Sequence, residues 1–216
     1  MKRFVDDRTA GTSDEVWLVE HEPVFTNGRR AASDEAPIGG IDVVNSDRGG
    51  LTTWHGPGQF VAYPLLDTRR LGVGVRELVM RLEQTIIDTL ARYRVQAGRR
   101  DGAPGVYVDN AKIAALGLRI RNGCSLHGLS INVDNDLAPY RHIDACGLGL
   151  AATRLCDHAA VGGVDEVAAV WLALFSREFG LSIQTSNAAV YAQSAPGRSS
   201  DFDPFADGVM AESPAY

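Results

Sequence analysis

The twelve residues Arg48-Gly49-Gly50-Leu51-Thr52-Thr53-Trp54-His55-Gly56-Pro57-Gly58-Gln59 constrain this chain more than any other stretch. Four glycines in so short a span forgo side-chain burial and cost backbone entropy, which points to a backbone shaped for close approach. The run feeds Phe60-Val61-Ala62-Tyr63-Pro64-Leu65-Leu66, an apolar segment of the length of a buried strand. A glycine-rich loop opening onto a core strand suits a ligand cradle, and taken alone it suits a tight surface turn equally well. No Gly-Lys-Ser/Thr ends the run, so it is not a phosphate loop of the usual kind.

Periodicity organises the rest. Val16 to Val19 and Ile41 to Val44 read as short strands, with a surface loop over Asn27 to Gly40 between them. Val75, Leu78, Val79, Leu82, Ile86, Leu90 and Tyr93 recur at three- and four-residue steps, predicting a helix with Arg76, Glu77, Arg81, Glu83 and Asp88 on its other faces. Gly105 to Ile120 reads as a hairpin turning at Asp109-Asn110, because both residues tolerate left-handed backbone angles, and Lys112 then opens the returning strand. Leu126 to Val133 alternates as a further strand. A second helix spans about Val164 to Phe179, with Asp165 and Glu166 at its positive end and Gly180 to stop it. Ser186 to Tyr216 loses all periodicity and reads as a flexible tail in which Phe202 and Phe205 could dock locally. Strands outnumber helices and hairpins stand beside helices, which makes the class α+β.

At 216 residues the chain can bury one sizeable core, and its length favours a single domain. A net charge of -6 argues against wholesale nucleic-acid binding, which wants a basic face. No run of eighteen apolar residues is present to span a membrane, and Met1 to Asp7 lacks the apolar core of a signal peptide. Three cysteines, Cys124, Cys146 and Cys156, cannot all pair within one chain, so reduced thiols in a cytoplasm are expected.

Two later segments give the glycine-rich run its meaning. One is Ala103-Pro104-Gly105-Val106-Tyr107-Val108 followed by Lys112-Ile113-Ala114-Ala115-Leu116-Gly117-Leu118-Arg119; the other is His127-Gly128-Leu129-Ser130-Ile131-Asn132-Val133 followed by Ile143-Asp144-Ala145-Cys146-Gly147. In this order, from about Val16 to Gly147, the chain resembles the lipoyl(octanoyl) transferases, with a weaker helical remainder to about Gly180. Trp54 departs from the pattern, standing where that family carries tyrosine or phenylalanine. The resemblance implies the fold of the lipoate and biotin protein ligases, a mixed sheet flanked by helices, with residues 1–185 as the catalytic domain and 186–216 as the tail.

It also implies an activity: transfer of an octanoyl group from acyl carrier protein to a lysine of lipoyl domains, the first step of endogenous protein lipoylation. The acceptors would be the lipoyl domains of 2-oxo acid dehydrogenase complexes and the glycine cleavage H protein, and no cofactor is expected. Any one cysteine is most often buried and inert. Cys146 alone of the three falls where the family places its acylated cysteine. Lys112, thirty-four residues earlier, matches the family's lysine. Lys2 and Lys112 are the only lysines among 21 lysine and arginine residues, so an amine kept here hints at a need for a group that can lose its proton. A nearby ammonium can bring a cysteine pKa from about 8.5 to roughly 7, and the thiolate is the nucleophile. Neutral Lys112 could then accept the proton of the incoming amine.

By the same matching, substrate would be lined by Arg48, Gly49, Gly50, Leu51, Thr52, Thr53, Trp54 and His55, by Ala115, Leu116 and Gly117, and by Gly128, Leu129 and Ser130. Small residues at 115, 117, 128 and 130 leave width for a methylene chain, while Leu116 and Leu129 point to the core. His55 and His127 either position the thioester or acceptor or serve as structural hydrogen-bonding residues. Amide groups near Gly147 or the glycine-rich loop are candidates for an oxyanion site. Because acyl carrier proteins are acidic, Arg69, Arg70, Arg99, Arg100, Arg119 and Arg121 are candidates for a docking surface.

Three rival readings follow. An ATP-dependent lipoate or biotin ligase would share the fold without needing a nucleophilic cysteine. A metalloprotein could use His127, His142 and Cys146, although structural zinc wants four ligands in tighter spacing. A non-catalytic lipoyl-domain-binding module would have no use for Lys112 and Cys146.

Overall fold

A computed structural model of the chain describes residues 1–32, 34–145 and 147–184, and the strand at 209–212. After a short helix α1 (Lys2–Asp6) come strands β1 (Asp14–Val19), β2 (Val24–Asn27), β3 (Val43–Asn45), β4 (Thr53–His55) and β5 (Gln59–Leu65). Helix α2 (Val75–Arg92), the hairpin β6 (Val106–Val108) and β7 (Ala111–Arg121), and β8 (Cys124–Asn132) follow. Two 3-10 turns (Ala138–His142 and Leu155–Asp157) lead to α3 (Val164–Phe179), β9 (Ser182–Gln184) and β10 (Val209–Glu212).

Seven strands form one sheet in the order β6-β7-β8-β5-β1-β10-β9, and β3-β2-β4 form a small second one. The pairs of the large sheet are antiparallel, and the parallel β2–β3 pair makes the small sheet mixed. The α+β expectation therefore holds. Within the stretch read as a tail, Val209–Glu212 is a strand between β1 and β9; the other residues of 186–216, Phe202 and Phe205 included, lie outside the described residues.

Strand alternation divides the large sheet. Phe60, Ala62, Leu129, Ile131 and Ala114 share one core with Leu78, Leu82, Ile86 and Leu90 of α2 and Val167, Trp171 and Phe175 of α3. Burying each such large side chain stabilises the fold by about 1.5–3 kcal/mol. Trp171 stacks on Phe175 at 4.8 Å between ring centroids and donates its indole N–H to Thr85 Oγ1 at 2.9 Å, tying the helices together. On the opposite face, Val5 of α1 packs with Trp17, Leu65 and Leu126.

The α2 stripe needs two corrections. Val75, at the first position of the helix, is 51% exposed. Glu83, read as lying on another face, is buried; its carboxylate accepts from Arg99 Nε and from the Gly105 amide, both at 3.0 Å, and braces the β6–β7 hairpin. The hairpin turns as expected, with Asp109 at φ +51°. Gly180 ends α3 at φ +65°. No described helix is long and apolar enough to cross a membrane.

Candidate active site

The site is assembled on the sheet face turned away from α2 and α3. Ala115 is registered with Ser130 and Gly117 with Gly128, while the intervening pair is Leu116 with Leu129. The period of two therefore puts the four small residues on one face and the leucines toward the helix core, as their spacing suggested. Val61 of β5 extends the Ala115–Ser130 row.

The glycine-rich run lies over these small residues. Gly49 donates its amide to the Leu118 carbonyl at 3.1 Å, while the Arg48 and Gly50 carbonyls accept from the Arg29 and Arg30 amides at 3.0 Å. Contact is close enough to require glycine. A Cβ on Gly117 would lie 2.9 Å from the Gly49 carbonyl oxygen, and one on Gly28 would lie 2.4 Å from that of Gly50. Arg48 clamps the loop by donating to the Thr26 carbonyl at 2.5 Å, to Thr26 Oγ1 at 2.9 Å and to the Gly49 carbonyl at 3.0 Å. Burial lowers its pKa to about 10, so it stays cationic.

Between loop and sheet is a cavity of about 620 Å³ including its mouth. Arg48, Gly50, Leu51, Thr53 and His55 line it from above, and Ala115, Leu116, Gly117, Gly128, Leu129 and Ser130 from below. Gly49, Thr52 and Trp54 do not line it. Thr52 donates its hydroxyl to Asn27 Oδ1 at 2.7 Å. Trp54 was expected to shape the pocket wall, but β4 alternates Thr53 and His55 inward and turns the indole away. It packs with Phe25 and Val43 and against Tyr140, 5.8 Å between centroids.

Lys112 stands where this cavity meets a second recess formed with Tyr140, Ile143 and Leu150. Its Nζ donates to the Pro104 carbonyl at 3.2 Å. Its backbone is bonded to the 151–153 segment, amide to Ala151 carbonyl at 2.8 Å and carbonyl from the Thr153 amide at 3.0 Å. Cys146 lies outside the described residues. Its neighbour Ala145 lines both recesses, and a Cβ on Gly147 would lie 3.0 Å from Leu51 Cδ1. The Gly147 amide donates to Asp144 Oδ1 at 2.8 Å and the Gly49 amide to Leu118, so neither is an uncommitted oxyanion donor.

Polar groups missed in the sequence complete the walls. Tyr63, read only as part of a buried strand, lines the cavity and bonds His21 Nε2 through its hydroxyl at 2.7 Å. His55 Nδ1 meets Gln59 Oε1 at 2.6 Å, and Gln59 Nε2 donates to Asn132 Oδ1 at 2.9 Å and Tyr140 Oη at 2.8 Å. Asn132 Nδ2 in turn donates to the Thr153 carbonyl at 2.9 Å, linking the cavity roof to the segment beside Lys112. Burial lowers the pKa of His55 to about 3, with His21 adding to the effect, lowers His21 to about 4, and raises that of the Tyr63 phenol. All three are neutral near pH 7. The alternation of Val61 and Tyr63 was the available signal, obscured because the whole run is apolar.

His127 is separated from the Lys112 end. Its partner Leu118 is six strand residues beyond Lys112, roughly 20 Å at strand rise. It therefore cannot position a thioester beside Lys112. Among the described residues, no group of three or more His, Cys, Asp or Glu could hold a metal. The six arginines considered for docking each have a local partner. Arg69 pairs with Asp67, Arg70 with Asp14, Arg99 with Glu83, Arg119 with Asp47 and Arg121 with Asp6, while Arg100 bonds Asn110.

Residues 1–176, which carry this whole arrangement, match the lipoyl protein ligase A/B catalytic domain. The chain belongs to that family. Within the lipoyl protein ligase A/B family it is 61% identical over 169 residues to an octanoyltransferase of Pseudomonas entomophila (strain L48), covering 77% of this chain and 79% of that protein. To an octanoyltransferase of Xanthomonas euvesicatoria pv. vesicatoria (strain 85-10) it is 53% identical over 191 residues, or 87% and 82% of the two. Solved structures share the fold at lower identity. A lipoate-protein ligase A bound with ATP superposes with a TM-score of 0.69 at 15% identity, covering 83% of this chain and 78% of that one. A putative lipoate protein ligase from T. acidophilum with bound lipoic acid gives 0.67 at 16%, covering 81% and 76%.

Proposed function

We propose that this lipoyl protein ligase A/B family member transfers an octanoyl group from acyl carrier protein to a lysine of lipoyl domains, through a thioester on Cys146. The observation that carries the reading is the cavity, a slot floored by small residues that opens at Lys112 and Ala145. Its relatives named octanoyltransferase support the acyl group chosen. The acceptors proposed are the lipoyl domains of 2-oxo acid dehydrogenases and the glycine cleavage H protein, in the cytoplasm.

The carrier thioester is already activated, so ATP has no task. The Lys112 ammonium favours the Cys146 thiolate, which attacks the thioester carbonyl; the carrier sulfur leaves as a thiol with the proton of Lys112, which becomes neutral, and the octanoyl group is held on the Cys146 sulfur. The acceptor amine has an unperturbed pKa of about 10.4 and must lose a proton on attack, and Lys112 in its neutral form takes it. The amide formed is more stable than the thioester, which drives the cycle forward.

Intact-mass spectrometry after mixing with octanoyl-acyl carrier protein tests donor, group and covalent stage together. The expected result is one added octanoyl group, absent in Cys146→Ser and passed to a lipoyl domain when one is supplied. Use of free octanoate only with ATP, with the carrier thioester ignored, would replace this reading with that of a ligase.

A further inference from the structure

The cavity has a direction. Lys112 and Ala145 stand at one end, and the floor runs along β7 and β8 through the Ala115–Ser130 and Gly117–Gly128 rows. At strand rise, Leu118 lies roughly 10 Å beyond Ala115. Paired with Leu118 is His127, whose side chain lines the far end.

β8 is irregular at that point. Its pairing with β5 runs from Gln59–Asn132 to Ala62–Leu129, short of Pro64, which has no N–H to give the ladder. A Cβ on Gly128 would lie 2.0 Å from the Ala62 carbonyl oxygen and 2.7 Å from Pro64 Cδ. His127, immediately before, adopts φ +61°, a left-handed conformation uncommon for a residue with a side chain. Strict alternation would send its ring with Leu129 to the helix core; this turn brings it to the cavity.

The ring is held from behind. His127 Nε2 lies 2.6 Å from Asp47 Oδ1, and Asp47 is itself held by Arg119 and, at 3.3 Å, by Lys2. Burial lowers the His127 pKa despite the hydrogen bond and charge of Asp47, so the wall it forms is a neutral ring. Strained conformations persist where the surroundings over-determine them, and they cluster at ligand clamps. Tyr63, two residues beyond Val61 on the same strand face, lines the same cavity and is fixed by His21.

We propose that His127, braced by Asp47, closes the acyl cavity and sets the chain length transferred. The inference rests on the acyl-transfer reading above. An extended eight-carbon chain, with bonds of about 1.5 Å and a zigzag course, spans roughly 9 Å. With its carbonyl level with Ala115, which lines both recesses together with Lys112 and Ala145, its methyl group arrives near Leu118, roughly 10 Å on, and meets the imidazole paired there. A longer chain must push the ring off Asp47 or kink.

The test is a competition among octanoyl-, decanoyl- and dodecanoyl-acyl carrier protein for a limiting lipoyl domain, with products read by mass. Wild type should favour octanoyl. His127→Gly suits the positive φ and leaves Asp47 with Arg119 and Lys2. It should raise the decanoyl-to-octanoyl ratio roughly 15-fold, at about fourfold for each of the two newly buried methylenes. His127→Asn, smaller than histidine and tolerant of the same φ, should shift the ratio in the same direction by less. A ratio unchanged in both variants, even with all rates lowered, would make His127 merely structural and overturn the proposal. Wild type transferring none of the three chains would instead overturn the acyl-transfer reading itself.

Discussion

The Lys112 ammonium lies 5.4 Å above the Tyr107 ring, on the far side of the hairpin turn that joins β6 to β7. The same hairpin is anchored to α2 by Glu83 through the Gly105 amide, and a Cβ on Gly105 would lie only 3.1 Å from Lys112 Cε. The lysine side chain is therefore steered by a carbonyl, an aromatic face and a glycine with φ +135°.

This setting separates the two duties proposed for Lys112. Arginine stays cationic and cannot deprotonate in a protein, so it can favour a thiolate but cannot take a proton from the acceptor. Lys112→Arg should acylate on Cys146 and then stall, with the octanoyl adduct persisting in single-turnover mass measurements. Normal turnover in Lys112→Arg would remove Lys112 as the base.

The thiols should differ in reactivity. Burial raises the Cys124 thiol pKa at the start of β8, and residual burial together with Asp157 and Asp134 raises that of Cys156 against the pull of Arg154. Iodoacetamide near pH 7 should therefore modify Cys146 first and abolish transfer, and Cys124→Ser and Cys156→Ser should retain activity. Protection of Cys146 by octanoyl-acyl carrier protein is expected, and peptide mapping would reveal preferential labelling of Cys156 if the assignment is wrong.

Acid sensitivity should begin above the carboxylate range. His55 and His21 titrate near 3 and 4 in the folded protein, against about 6.5 when exposed. The unfolded chain takes up their protons first, so their contribution is complete above about pH 6.5 and declines as pH falls toward the folded values. Each histidine adds a slope of up to about 1.4 kcal/mol per pH unit in that window. Urea unfolding at pH 7, 6 and 5 should show the decline, and His55→Gln should roughly halve it. A pH-independent midpoint over this range would contradict the burial of both rings.

A stability anchor lies away from the cavity. Asp14, fully buried at the start of β1, accepts from Arg8 Nη2 at 2.6 Å and from the Asp67 amide at 2.8 Å, and pairs with Arg70 at 2.7 Å. Arg8 is itself buried, so removing the carboxylate strands a cation. Asp14→Ala should cost about 3–5 kcal/mol in urea unfolding. A loss below about 1 kcal/mol, the range of a surface pair, would mean the pair is solvated.

What the sequence by itself determined is whatever local chemistry dictates. The helices at 75–92 and 164–179, the turn at Asp109-Asn110, the cap at Gly180 and the small-residue rows at 115, 117, 128 and 130 all follow from spacings of two to four residues. Tertiary structure decided where polar side chains went. Trp54 turns from the cavity because of its place in β4, and Glu83 is buried because Arg99 and the Gly105 amide converge on it. Five of the six arginines considered for docking are drawn into ion pairs, by carboxylates as distant in sequence as Asp6 is from Arg121. His127 reaches the cavity only because β8 breaks its alternation beside Pro64. Periodicity records which residues prefer burial, whereas the partners that make burial of a charge or a ring tolerable are chosen in three dimensions.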